Sequence, residues 1–197
     1  MQMGHISGKV TSFLLASVFC LLTGCAVQPV ANPDTTIKDA ERISEIRLIL
    51  KNGDWLVTRG ILNTDNFVAT MTNAPLSHAA IYDAEKDVVI EATGEGVHTT
   101  QLDTFLAKSQ RALIIRPVWW TPDNAVKAIE SARNWVGKGY NYTGLIGINT
   151  PGRYYCTQLA LRAYEPFMEE APDNPIPPVI KPGQMYYWGR ILYDSGP

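Results

Sequence analysis

Two apolar, β-rich runs stand four residues apart in the middle of the chain: "SHAAIYD" at 77–83 and "VVIEAT" at 88–93, joined by "AEKD". Runs of this length broken by a short polar turn specify an antiparallel hairpin. A turn through Glu85 and Lys86 pairs residues whose numbers sum to 171, so Ala80 faces Glu91 and His78 faces Thr93. Directly opposed residues share a face and side chains alternate along each strand, which makes His78 and Glu91 diagonal neighbours on one face. Glu91 sits between "VVI" and Ala92, where a polar side chain costs burial energy. A carboxylate there can accept the Nδ1 proton of His78 and orient the ring. The alternative is a solvent-facing strand residue, since a slip of one position moves Glu91 to the other side of the sheet.

An oriented imidazole is useful only beside a nucleophile, and the chain has three cysteines from which one can come. Lys9 precedes "VTSFLLASVFCLL", an apolar run too short to span a bilayer comfortably and placed like the core of a secretory signal. It ends in "LTGC" at 22–25, which resembles the lipobox of bacterial lipoproteins. That resemblance implies that Cys25 is diacylated and becomes the mature N-terminus. The alternative is an ordinary signal or anchor that happens to contain Cys25. Ala26, not Asp, follows the cysteine, which by resemblance to lipoprotein sorting signals favours the outer membrane. "AVQPVANPDTT" then reads as a polar tether. The expected organisation is a lipoprotein signal at 1–24, a lipidated tether at 25–35 and a domain at 36–197, held at the outer membrane and facing the periplasm.

Processing removes Cys20 and consumes Cys25, leaving Cys156 without an intramolecular disulfide partner in a compartment that oxidises spare thiols. Such a cysteine is either buried for packing or kept for its reactivity. Its context, "YYCTQLALRAYE" at 154–165, supports both. Leu159, Ala160, Ala163 and Phe167 follow at i+3, i+4, i+7 and i+11, which puts Cys156 on the apolar stripe of a helix. Pro151 and Gly152 lie just upstream, so Cys156 is also near the first turn. There, unpaired N–H groups and the helix dipole stabilise a thiolate and can form part of an oxyanion hole. A packing residue gains nothing from that position. His5 leaves with the signal, so a Cys/His pair can arise only in the order His, then Cys, from His78 or His98. His98 either orients His78 or lies exposed.

The remaining pattern is α+β. "IKDAERISEIRLIL" at 37–50 has helical spacing with Thr36 as its cap, a short strand is expected at 54–59, and "NFVATMTNAPL" is ambiguous. A third strand is expected at Val97–Thr99, a brief helix in "TQLDTFLAK" and a buried strand at 111–117. "TPDNAVKAIESARNWVG" is punctuated as a helix, with Thr121 at the N-cap, Pro122 at N1 and Gly137 beyond the end. "KGYNYTGLIGINTPG" reads as loop, and "QMYYWGRILYD" supplies one or two closing strands. A chain of 197 residues, 46% hydrophobic, suits one domain with strands clustered centrally and helices on either side. A net charge of −2 without any Lys/Arg run gives no sign of a nucleic-acid partner. Two mature histidines and no HExxH or ligand-spaced cluster argue against a metal site, and no cofactor motif is present.

"GDWLVTRG", "SHAAIYD", "VIEATGEGVHT", "GYNYTG" and "YYCTQLALRAY" occur in this order along the chain. Over about residues 51–193 it thereby resembles the permuted papain-like hydrolases related to the NlpC-type cell-wall peptidases, in the YaeF/YiiX group. The resemblance implies a circularly permuted papain-like α+β fold, an antiparallel sheet or small barrel packed against helices, with the histidine strand ahead of the cysteine helix. It implies Cys156 as nucleophile, His78 as base and Glu91 as the acidic residue. Tyr140 and Tyr142 of "GYNYTG" are pocket or oxyanion candidates, the alternative being that they pack the loop, and Tyr155 is a further pocket candidate. Gln158 in "CTQL" stands where the family commonly carries an acid.

The implied activity is hydrolysis of an amide or ester through an acyl-enzyme, on a peptidoglycan peptide or an acyl, lipid-like substrate. Trp119 and Trp120, where exposed, would help to grip either; the alternative, commoner for paired tryptophans, is half-buried structure. The alternative is a non-catalytic envelope lipoprotein that binds cell wall or a protein through a papain-like groove. A pure binder does not need Cys156, His78 and Glu91 together, which favours the enzyme. Nothing in the sequence fixes the oligomeric state.

Overall fold

In the computed structural model, residues 36–168 and 176–196 are described. The expected signal at 1–24, with His5 and Cys20, and the tether at 25–35, with Cys25, lie outside them. The first element is α1 (Ala40–Ile49), capped by Asp39, whose Oδ1 accepts from the Glu41 N–H at 3.0 Å. Thr36 is therefore not the cap. Ile37 is drawn into the core instead, and its N–H donates to the Ser109 carbonyl at 2.9 Å.

Strand β1 (Trp55–Gly60) leads into α2 (Asn63–Thr72), the segment whose periodicity was ambiguous. Asp65 makes it a helix: its Oδ2 accepts from the Leu62 N–H at 3.2 Å and its Oδ1 from the Ser77 hydroxyl at 2.9 Å. Asn73, at φ 46°, ends it in the left-handed region that Asn tolerates. Then come β2 (His78–Asp83), β3 (Val88–Thr93), β4 (Gly96–Gln101), α3 (Leu102–Leu106) and β5 (Ser109–Pro117). The predicted N-cap and N1 proline begin α4 (Pro122–Asn134), with the Thr121 hydroxyl accepting from the Asn124 N–H at 3.1 Å. The expected loop contains a short parallel pair, β6 (Gly139–Tyr140) and β7 (Arg153–Tyr154), and a 3-10 turn at Thr143–Ile146. After α5 (Cys156–Arg162), a 3-10 segment (Pro182–Trp188) leads into the closing strand β8 (Gly189–Asp194).

Six strands form one open antiparallel sheet in the order β4-β3-β2-β1-β5-β8. The hairpin register is the one expected, with Ala80 opposite Glu91 and Asp83 opposite Val88. The β2–β3 ladder begins at Ala80, however, so His78 is paired with Thr58 of β1 and not with Thr93. Both faces of the sheet are covered. Trp55, Val57, Ala79, Ile81, Ile90 and Ile115 pack with α4 and α5. Leu56, Ala80, Tyr82, Val89 and Ile114 pack with α1 and α3. Burial on both sides explains why β1 and β5 read as continuous apolar runs instead of alternating ones.

Hydrogen bonds fix α5 on its face: Trp55 Nε1 donates to the Ala160 carbonyl at 3.1 Å, and the Tyr164 hydroxyl to the Gly53 carbonyl at 3.0 Å. Gly53 has φ +82°, and a Cβ there would collide with that hydroxyl, so the turn needs glycine on both counts. Trp119 and Trp120 are half-buried structure, not an exposed grip. Trp119 meets Trp55 edge-on at 6.5 Å, and Trp120 donates to the Asn52 carbonyl at 2.9 Å under the Arg116 guanidinium.

Arg116 also forms two bonds, at 2.9 and 2.7 Å, to the fully buried Asp54. Removing one partner of a buried pair strands the other charge, so Arg116→Ala is expected to cost about 3–5 kcal/mol in denaturant unfolding. A loss below about 1 kcal/mol would mean that solvent reaches Asp54.

Candidate active site

Cys156 is the first residue of α5, and His78 is the first of β2. The short β6–β7 pair and the extended N-cap Tyr155 (φ −100°, ψ 167°) bring the chain into that helix. The helix lies on the sheet face carrying Ala79 and Ile81, whereas alternation turns His78 and Glu91 to the face of Ala80 and Val89. Thiol and ring meet around the end of the sheet because each begins its element there. Cys156 is buried and lies near enough to His78 to act on the charge of its ring.

On its other side His78 Nε2 lies 2.6 Å from Glu91 Oε2. The expectation that Nδ1 would face the carboxylate is corrected here. His78 and Glu91 are offset by two residues along the ladder, so the ring reaches its partner with the nitrogen farther from the backbone. Nδ1 is then the ring nitrogen not taken up by Glu91. Glu91 is buried and shared further: Oε1 accepts from the Thr100 hydroxyl at 2.5 Å and lies 3.5 Å from His98 Nε2. His98 Nδ1 donates to the Gly96 carbonyl at 3.1 Å, which aims Nε2 at Glu91. Thus His98 does not touch His78; it backs the carboxylate that does.

The charges follow from this packing. Burial disfavours an imidazolium at His78, but Cys156 and Glu91 beside it outweigh that and raise its pKa well above the ordinary value. Burial likewise works against the Glu91 carboxylate, yet hydrogen bonds from His78, His98 and Thr100 hold it well below the usual carboxylate range. His98 is raised, chiefly by its bond to Glu91. An ionised Glu91 between two imidazoles holds the His78 ring in one orientation and favours its protonated form.

The three tyrosines separate. Tyr140 lies close enough for the Cys156 charge to act on it, and with burial as the larger cause its hydroxyl stays protonated. Tyr142 is exposed, packs edge-on against Tyr140 at 4.8 Å and donates to the Gly94 carbonyl at 3.1 Å. Tyr155 is buried; its hydroxyl accepts from the Ile180 N–H at 3.1 Å, and it lines a cavity of about 240 Å³ with Gln158, Leu161 and Ile176.

Gln158 braces the site. Its Oε1 accepts from Asn141 Nδ2 at 3.1 Å and its Nε2 donates to Asn149 Oδ1 at 2.8 Å, tying both ends of the 141–149 loop to α5. An amide donates and accepts at once, which a carboxylate cannot do. Thr100 and Asn141 were not singled out from the sequence. Thr100 was within reach: carrying β4 one residue past Thr99 places it two positions from His98, on the face of Glu91. Asn141 gave no signal in a loop without periodicity. Among the described residues, no group of three or more His, Cys, Asp and Glu side chains is arranged to hold a metal ion.

A thiol, a ring and a carboxylate in line can move a proton and expose a sulfur nucleophile. Comparisons with known proteins point the same way. Residues 50–173 match the profile of the family described as "Permuted papain-like amidase enzyme, YaeF/YiiX, C92 family". The chain is 30% identical over 149 residues to the "Probable lipoprotein peptidase YaeF" of Escherichia coli (strain K12), covering 65% of this chain and 53% of that protein. It therefore spans about half the length of this curated relative. The crystal structure of "metalloprotein yiiX" from Escherichia coli O157:H7 superposes with a TM-score of 0.52 at 19% identity, over 62% of this chain and 68% of that one, which supports the fold. With a histidine strand that precedes a cysteine helix on an antiparallel sheet, the chain belongs to the permuted papain-like amidase family YaeF/YiiX and has its α+β fold.

Proposed function

We propose that this chain is an envelope-anchored cysteine amidase in which Cys156, His78 and Glu91 act as one triad. The observation that carries the proposal is the His78 ring, held 2.6 Å from an ionised Glu91 at the end of the sheet where Cys156 begins its helix. The Cys156 sulfur attacks the substrate carbonyl carbon while its proton resides on His78. The C–N bond then breaks as His78 gives that proton to the departing amine, leaving an acyl-thioester. His78 next takes a proton from water, whose oxygen attacks the thioester, and the acid leaves as the thiol is restored. Oxyanion donors are the Cys156 N–H, at the start of α5, and the hydroxyl of Tyr140.

The anchor is Cys25, read from the "LTGC" motif and in keeping with a relative named a probable lipoprotein peptidase. It places the domain at the outer membrane, facing the periplasm. Candidate substrates are peptidoglycan peptides and acyl, lipid-like amides or esters. The test is intact mass of protein quenched with acid during incubation with stem-peptide fragments and, separately, with acyl esters. An adduct of the acyl mass, present on wild-type protein and absent from Cys156→Ala, is expected with one class. Turnover by Cys156→Ala equal to wild type would refute the thiol mechanism.

A further inference from the structure

The end of the sheet that carries His78 gathers two features that the chemistry does not require. The chain enters the described domain there. Ile37 bonds to Ser109, and Ser109 pairs with Gly60, two residues beyond the Thr58–His78 pair. The stretch 139–152 is there too. Tyr142 bonds to Gly94 in the β3–β4 turn, and the Val97 N–H donates to the Lys138 carbonyl at 2.8 Å.

That stretch contains no Asp, Glu, Lys or Arg, in a chain that is 18% charged. It is nonetheless at the surface, with Ile146 74%, Tyr142 62% and Ile148 59% exposed. Across His78 in the strand order, α2 joins β1 to β2 and shows Phe67, 61% exposed. Apolar side chains gathered in this way mark a contact surface. Exposed Lys138 and Arg153 bracket the uncharged stretch, while Glu95 in the adjacent turn is an exposed acid at the same end. Apolar residues flanked by cations match a bilayer surface with its acyl interior and phosphate layer.

We propose that this end docks on the phospholipid bilayer that holds the chain's own lipid anchor. Ile146 and Ile148 enter the acyl region, Tyr142 and Phe67 sit at the interface, and Lys138 and Arg153 meet lipid phosphates. The proposal rests on the reading of Cys25 as lipidated and adds the direction in which the domain faces. Eleven residues, 25–35, separate the lipid from the domain. They span at most about 40 Å in any conformation, which keeps the end at which they join within reach of the membrane, and the exposed apolar residues at that end turn it towards the bilayer. The site of Cys156 and His78 then opens towards the bilayer, and substrates reach it along that surface.

The test uses the full chain with a protease site inserted between Asn32 and Pro33, reconstituted in phosphatidylethanolamine–phosphatidylglycerol vesicles and followed by flotation. The uncut protein is expected to float. After cleavage the wild-type domain stays with the vesicles, whereas a domain carrying Ile146→Ser and Ile148→Ser partitions roughly 10-fold or more towards solution. Val126→Ser, at an exposed position near the start of α4, leaves partitioning unchanged, and a thermal melt of each variant confirms folding. Full release of the cut wild-type domain overturns the docking while the anchor stands. Release from vesicles with retention on peptidoglycan sacculi also overturns it and assigns the surface to the wall. An uncut protein that does not float refutes anchor and docking together.

Discussion

Iodoacetamide is expected to alkylate Cys156 at pH 6 in the folded protein, and His78→Ala is expected to slow that alkylation by at least about 10-fold. The reason is geometric. His78 lies 2.6 Å from an ionised Glu91 and beside Cys156, and its pKa is raised well above the ordinary value, so its ring keeps a proton through neutral pH next to the sulfur. The nucleophile is the thiolate, so losing the imidazolium removes reactive species without altering access to the sulfur. Measuring the rate from pH 5 to 9 in wild-type and variant protein separates the two effects. A uniform slowing points to access; a slowing confined to the acid side points to the ion pair. A Cys156 that reacts only after unfolding would be a packing residue, and the groove would then belong to a binding protein.

Glu91→Ala is expected to lower turnover by about 100-fold or more and to destabilise the fold by about 3–5 kcal/mol near pH 5.5. Two partly buried imidazoles and the Thr100 hydroxyl lose their common acceptor at once. The pH dependence has a definite sign. Glu91 is depressed in the folded state, so its contribution is present above its ordinary value of 4.5 and is lost as pH falls through the folded value. His78 is raised, so its contribution is complete below 6.5 and is lost as pH rises through the raised value. The stability gap between wild type and Glu91→Ala is therefore widest between about pH 4.5 and 6.5 and narrows on both sides. Glu91→Gln keeps the shape and an acceptor oxygen, so it recovers part of the stability but not the charge that holds the imidazolium. Equal gaps at pH 5.5 and pH 10 would show that Glu91 acts by packing alone.

Much of the site is legible because its rules are local. The sum of 171 across the 84–87 turn requires no knowledge of the rest of the chain, and it places Ala80 against Glu91 as observed. Likewise, Thr121, Pro122 and the proline–glycine pair before Cys156 act within one helical turn of themselves. Where such reading falls short, a distant residue has taken over a local role. Thr36 has the chemistry of a cap, but Ile37 is worth more in the core beside Ser109, and the helix starts later under Asp39. Asn63–Thr72 lacks a helical stripe, and it is Ser77 and Leu62 converging on Asp65 that settle its start.

By itself the sequence determined the hairpin and its register, the face shared by His78 and Glu91, and the arrival of one thiol at a helix start. Each depends on the fixed two-residue and 3.6-residue periods of the backbone. Only the tertiary structure decided which ring nitrogen meets the carboxylate, that His98 supports Glu91 from behind, and that Gln158 holds the loop to the cysteine helix. Those contacts join residues from separate elements at angstrom distances. They depend on how a twisted sheet and a helix pack at one end, which no spacing along the chain encodes.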